Sequence, residues 1–229
     1  MKEIEKEVNA KFKNLRTITA LVASLQSPSM IVTGKGGLGK TYNIKQTIKS
    51  MGIRKANFKE MVGYTTARGL YEVLYDNKDS LILIDDCDEA LEDKTSISLL
   101  KAALDSYDVR TITWNAKVSK NSKYPSSFDF TGSIIFITNL NVDDIDQAIL
   151  SRSMVVDLAM TNEEKLVRIE SILKFLNPEF SMEVKQDALN YLRENGKTFD
   201  VNLRTLGLIS KLRYNYPYNW QQLSKTMIK

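Results

Sequence analysis

Histidine is absent from all 229 residues, and cysteine occurs once, at Cys87. Without imidazole there is no histidine general acid or base, no serine–histidine or cysteine–histidine nucleophile, and almost no route to a zinc site. One cysteine excludes a disulfide framework within the chain and suits a reducing compartment, so a cytoplasmic location is expected. No apolar run approaches the roughly 18 residues needed to cross a bilayer, and no secretory pattern opens the sequence. A membrane partner is therefore not expected. Any catalysis must rest on carboxylates, lysine, arginine and a bound metal ion.

What is present is an ordinary core-forming composition, 43% hydrophobic and 26% charged. The length suits one α/β domain with a small appended domain. The net charge of +4 permits a nucleic-acid partner without arguing for one.

Residues 1–26 place Ile4, Val8, Phe12, Leu15, Ile18, Val22 and Leu25 at steps of three and four, the mark of an amphipathic helix. Its polar face carries both signs, so packing on the protein itself or on a neighbouring subunit is favoured over a membrane surface. After Ser27, Pro28 and Ser29 come Met30–Thr33, and later Leu81–Ile84 and Ile134–Ile137. These short continuous apolar runs read as fully buried strands of a parallel sheet, with Met154–Leu158 as a fourth of the same kind. Helical patterns alternate with them, notably over Thr95–Asp105, which favours a three-layer α/β domain. From about Thr161 the pattern is helical only: Thr161–Leu176, Ser181–Asn195 and Asn202–Tyr214. The expected boundaries are 1–160 for the α/β domain with its amino-terminal helix and 161–229 for a small all-helical lid domain.

Gly34-Lys35-Gly36-Gly37-Leu38-Gly39-Lys40-Thr41 fits G-x-x-x-x-G-K-[ST] in full. Glycines let successive N–H groups point inward at phosphate oxygens, beside the positive end of the following helix. Lys40 is expected to reach the β- and γ-phosphates of ATP, and the Thr41 hydroxyl to ligate Mg²⁺. A strand precedes the loop and a helix can follow it, as the motif requires. Downstream, Leu81–Ile84 closes on Asp85-Asp86-Cys87-Asp88-Glu89, the Walker B pattern, which puts Asp85 at the metal.

With these motifs the sequence resembles the AAA+ ATPase family over most of its length. The resemblance implies that the residue after Asp85 polarises the attacking water; that position is usually glutamate and here is Asp86, one methylene shorter. Glu89 is a weaker substitute, and Asp88 fits an acid often seen two positions on. Thr138-Asn139, after Ile134–Ile137, resembles sensor 1. Asp146 to Arg152 resembles the box that ends in an arginine finger in clamp loaders, with Arg152 acting in trans on a neighbour's nucleotide. Asn202-Leu203-Arg204-Thr205-Leu206 resembles sensor 2, with Arg204 directed at the γ-phosphate. The family likeness implies a nucleotide site shared between subunits, hence a ring or spiral, most often a hexamer. It further implies loading or remodelling of an unknown protein partner or nucleic acid, as in compact nucleic-acid ATPases of viruses.

Two segments lie outside these motifs. Arg110–Phe130 reads as a β-hairpin or loop whose Lys117, Lys120 and Lys123 either track DNA or RNA phosphates or merely keep a loop solvated. Lys211–Trp220 mixes basic and aromatic residues; packing within a helical domain is favoured over stacking on bases. Gly63-Tyr64 is equally a pore-loop element or a turn. Two other functions share the loop: a binding or scaffold module that holds ATP and hydrolyses it weakly, and a small-molecule P-loop kinase, against which the Ser151-Arg152 and lid motifs argue.

Overall fold

The computed structural model describes residues 2–115 and 123–227. Its contacts divide the chain into two units: residues 13–35 and 40–158 form one, and residues 1–12, 36–39 and 159–229 form the other.

The first unit is built on a five-stranded, all-parallel sheet. In chain order its strands are β1 (Ser29–Thr33), β2 (Phe58–Val62), β3 (Leu81–Asp85), β6 (Ser133–Ile137) and β7 (Met154–Asp157). Their spatial order is β2-β3-β6-β1-β7. Every residue of β1, β3 and β6 is buried, so both faces of the sheet centre are covered, as continuous apolar runs require. The connecting helices in this unit are α2 (Lys40–Ser50), α3 (Ala67–Asp76), α4 (Lys94–Ala103) and the short α5 (Gln147–Leu150). Thr66 caps α3 through the Gly69 N–H, and Asp93 caps α4 through the Ser96 N–H.

The expectation for Met154–Leu158 needs correction. β7 pairs only with β1 and forms a sheet edge, and Met154 and Val155 are each 38% exposed. An apolar run cannot by itself distinguish a central strand from an edge strand. The opposite edge, β2, has the sequence Phe-Lys-Glu-Met-Val, which carries no apolar run and was not legible as a strand.

Arg110–Phe130 contains the expected hairpin: β4 (Arg110–Thr113) pairs antiparallel with β5 (Ser127–Phe130). Arg110 is buried at its base, donating to the Ala103 and Gly132 carbonyls with its guanidinium over the Phe130 ring. The hairpin packs on α3 through Tyr71, whose ring meets Trp114 at 5.6 Å and Phe128 at 5.2 Å.

The helix α1 (Lys2–Ala23) is shorter than the 1–26 expected. Val8, Phe12, Leu15 and Val22 are buried as read, whereas Leu25 lies beyond the helix in a left-handed conformation (φ 61°) and is half exposed. Thr19 takes a buried place on that face by returning its hydroxyl to the Leu15 carbonyl.

The second unit carries α6 (Asn162–Ile172), α7 (Met182–Glu194), α8 (Leu203–Asn215) and α9 (Trp220–Met227). Thr161 and Glu164 form a reciprocal capping box at α6, and Ser181 caps α7. Leu189, Leu192, Val201, Leu206 and Ile209 centre its core, with Trp220 sealing one side. The helix α9 was not expected after the basic and aromatic segment Lys211–Trp220, although the packing of Trp220 within the helical unit was.

Candidate nucleotide site

The carboxyl ends of three neighbouring strands converge. Chain leaving β1 runs toward β2, whereas chain leaving β6 runs to β7 on the far side of β1, a reversal of direction of the kind beside which parallel α/β sheets bind their ligands. Gly34–Thr41 follows β1, Asp85 and Asp86 end β3, and Thr138-Asn139 follows β6.

Lys40 is almost wholly buried, and its ammonium is held against the Gly34 carbonyl, the Lys35 carbonyl (3.1 Å) and Asn139 Oδ1 (3.1 Å). The Thr41 hydroxyl donates to Asp85 Oδ2 at 2.8 Å. Asn139 bridges the cluster: its amide nitrogen donates to Asp86 Oδ1 at 3.1 Å, and its backbone N–H reaches Asp88 Oδ2 at 3.4 Å. The structure thus brings together Lys40, Thr41, Asp85, Asp86 and Asn139, drawn from three segments far apart in sequence. Asp88 joins them through the Asn139 backbone, a contact the sequence did not announce.

Burial raises the Asp85 carboxyl above the usual carboxylate range, with the Asp86 charge adding to it, against the opposing Thr41 hydrogen bond. Its second oxygen, Oδ1, is buried without a hydrogen-bond partner among the described residues. A desolvated carboxylate with a spare acceptor beside a hydroxyl is an all-oxygen donor pair of the kind Mg²⁺ takes, with phosphates and waters completing the shell. No cluster of three or more histidine, cysteine or acidic ligands occurs among the described residues. The residues fit Mg²⁺ with a nucleotide.

Asp86 adopts a left-handed backbone (φ 54°), uncommon outside glycine, and this turn aims its side chain at Asn139. The neighbouring Cys87 thiol donates to the Gly63 carbonyl and is fully buried. Desolvation and the acids Glu89, Asp85, Asp88 and Asp86 push it up to about 11.

No protein-family model matches the sequence. The chain is 29% identical over 243 residues to an uncharacterised 36.7 kDa protein of the nrdC-mobD intergenic region of enterobacteria phage T4, covering 97% of this chain and 74% of that protein. The fold is similar to a chain in a structure of Drosophila ORC bound to DNA, with TM-score 0.52 and 12% identity. That match covers 94% of this chain but only 59% of the other, so this chain spans less than two thirds of that neighbour. The likeness shows the fold alone: a parallel α/β sheet unit accompanied by a helical unit.

Two further motif residues of this unit have partners of their own. Arg152 follows α5; its guanidinium donates to the Ala148 carbonyl at 2.9 Å and lies 3.5 Å from Asp105, half exposed. Lys123 sits 3.6 Å from Asp76 and over the Tyr124 ring, so its charge is partly balanced. Lys117 and Lys120 lie outside the described residues. In the helical unit, Arg204 is exposed in the first turn of α8.

Within that same unit the loop residues 36–39 meet the start of α8. The Leu203 N–H donates to the Gly37 carbonyl at 3.0 Å. Gly37 (φ +75°) has the Asn202 side chain so close that a Cβ would meet it at 2.9 Å. Asn202 in turn caps α8 through the Thr205 N–H and donates to Asp200. This contact was missed by motif reading; the signal was an asparagine directly before the Leu-Arg-Thr that opens a helix.

Among the described residues no helix is long and apolar enough to cross a membrane.

Proposed function

We propose that this chain is an AAA+ ATPase that binds and hydrolyses ATP with Mg²⁺ and drives loading or remodelling on nucleic acid. The observation that carries the reading is the convergence of Lys40, the Thr41–Asp85 pair and Asn139 on one crevice. In it, Lys40 and the loop N–H groups hold the phosphates, and Thr41 and Asp85 hold Mg²⁺, which when bound neutralises charge developing on the phosphates. Asn139 and Asp86, joined by a hydrogen bond, orient water for attack. Arg152 serves a neighbouring subunit's site and Arg204 reads the phosphates from α8, in a ring or spiral of copies of this chain. The fold shared with ORC, which in that structure is bound to DNA, supports a nucleic-acid setting, with Lys117, Lys120 and Lys123 as one nucleic-acid contact.

The test is Lys40→Ala. Nucleotide binding, read by a fluorescent ATP analogue, should be lost together with turnover; unchanged binding would remove the site from this loop. A second reading is favoured by one observation: Asp86 is short and already engaged by Asn139. In that reading the chain holds an assembly in its ATP state and turns over slowly. Turnover with and without DNA separates the two.

A further inference from the structure

The net charge of +4 has a single origin. Residues 201–229 contain five of the 32 lysines and arginines and none of the 28 aspartates and glutamates, leaving the preceding 200 residues close to neutral. The same stretch carries Tyr214, Tyr216, Tyr218 and Trp220, and the structure splits these four into two roles. Trp220 is buried, its ring 5.0 Å from that of Tyr191, while the Tyr191 hydroxyl donates to the Gln221 carbonyl. The tyrosines face outward: Tyr214 is 59%, Tyr216 52% and Tyr218 fully exposed.

The corner that presents them is well fixed. The Tyr216 N–H closes α8 on the Leu212 carbonyl, and the Tyr216 carbonyl accepts from the N–H groups of Asn219 and Trp220. Pro217 limits the backbone between the two outermost rings. Tyr214 leans on Phe180 at 5.3 Å. Large rings on a fixed frame lose little entropy when they are covered, which makes them efficient contact groups. Acids border the corner as well, Glu179 next to Phe180 and Glu183 and Asp187 on α7. Glu183 and Asp187 are engaged by Arg213, whereas Lys211, exposed on α8, and Lys225 on α9 have no acidic partner among the described residues.

We propose that the α8–α9 corner is a stacking platform for single-stranded nucleic acid, with bases on Tyr214, Tyr216 and Tyr218 and backbone phosphates drawn by Lys211 and Lys225. An acidic peptide would satisfy the lysines but leave three rings without stacking partners. A duplex keeps its base faces covered. A single strand offers both a repeating π-face and a repeating negative charge. The proposal rests on the nucleic-acid side of the proposed function and is independent of the nucleotide site.

The experiment is fluorescence anisotropy of a labelled oligothymidylate of about 20 nucleotides, titrated with the full chain without ATP at several salt concentrations. Wild type should bind. The combined change Tyr214→Ala, Tyr216→Ala and Tyr218→Ala should weaken binding about tenfold or more while leaving the salt slope nearly unchanged, and the three Tyr→Trp changes should restore it. Lys211→Gln with Lys225→Gln should flatten the slope by about 1.4, at about 0.7 per phosphate lost. Circular dichroism melting establishes that each variant is folded. No binding by wild type, or equal affinity of the folded tyrosine variant, overturns the proposal. So does a fall in oligomer mass by light scattering with unchanged affinity, which would make the corner a contact between copies. Lys40→Ala should bind the oligonucleotide normally; if that variant still binds ATP, the nucleotide-site reading fails while this one stands.

Discussion

Replacing Gly37 with alanine sets the phosphate-loop backbone against the cap of α8. At φ +75° an L-residue costs about 1–2 kcal/mol. The new Cβ would stand 2.9 Å from Cγ and Oδ1 of Asn202, so that side chain must move. Asn202 holds the Thr205 N–H at 2.9 Å and Asp200 at 2.8 Å, and losing such a cap costs about 1 kcal/mol. Together the change should cost about 2–3 kcal/mol, or about 5–10 °C in Tm for a chain of this size. The assay is thermal unfolding by far-ultraviolet circular dichroism over a double-mutant cycle with Asn202→Ala. Asn202→Ala alone should cost about 1 kcal/mol. The double variant should cost little more than Gly37→Ala, since the cap and the contacts with Cγ and Oδ1 are already gone and only the residue-202 Cβ at 3.0 Å is left, giving about 1 kcal/mol of coupling. Strict additivity, or a Gly37→Ala cost below about 0.5 kcal/mol, would refute the reasoning.

Asp85→Asn should leave stability without ligand within about 1–3 kcal/mol, because relief of a desolvated charge offsets an amide placed where Oδ1 has no partner. It should also abolish the Mg²⁺-dependent part of the ATP-induced rise in Tm; a full Mg²⁺-dependent rise would take Asp85 off the metal. Arg152→Ala should cost less than about 1 kcal/mol of stability, since its Asp105 ion pair is half solvated, but cut turnover of the assembled form about 10³-fold, or about 4 kcal/mol of barrier. An unchanged rate would exclude a finger role. Because the Cys87 thiol is raised to about 11 from 9.0, the fold favours its neutral form. That contribution is complete below pH 9 and is lost as pH rises through about 11. Stability should therefore fall across this window more steeply than in Cys87→Ala, as equilibrium urea unfolding would report; equal slopes would remove the effect.

The strands β1, β3 and β6 could be read from sequence because burial on both faces demands uninterrupted apolar residues, a pattern that Met154–Leu158 shares although it lies at a sheet edge. The phosphate loop was legible for a similar reason: its chemistry depends on backbone freedom at fixed spacing, which only glycines at those positions supply. Capped helices such as α6 declare themselves through Thr161 and Glu164. The edge strands were harder, since β2 is half polar and β7 apolar yet partly exposed, and position in a sheet is a property of neighbours rather than of the strand. The hydrogen bonds of Asn139 to Lys40 and Asp86 and of Thr41 to Asp85, and the pressure of Asn202 on Gly37, all join residues tens to more than a hundred positions apart. So does the division of the aromatic cluster, in which Trp220 is drawn to Tyr191 while Tyr214, Tyr216 and Tyr218 stay in solvent. Local sequence encodes what one segment's backbone can do; which side chains share a crevice or a core is decided when the sheet order and the helix packing close.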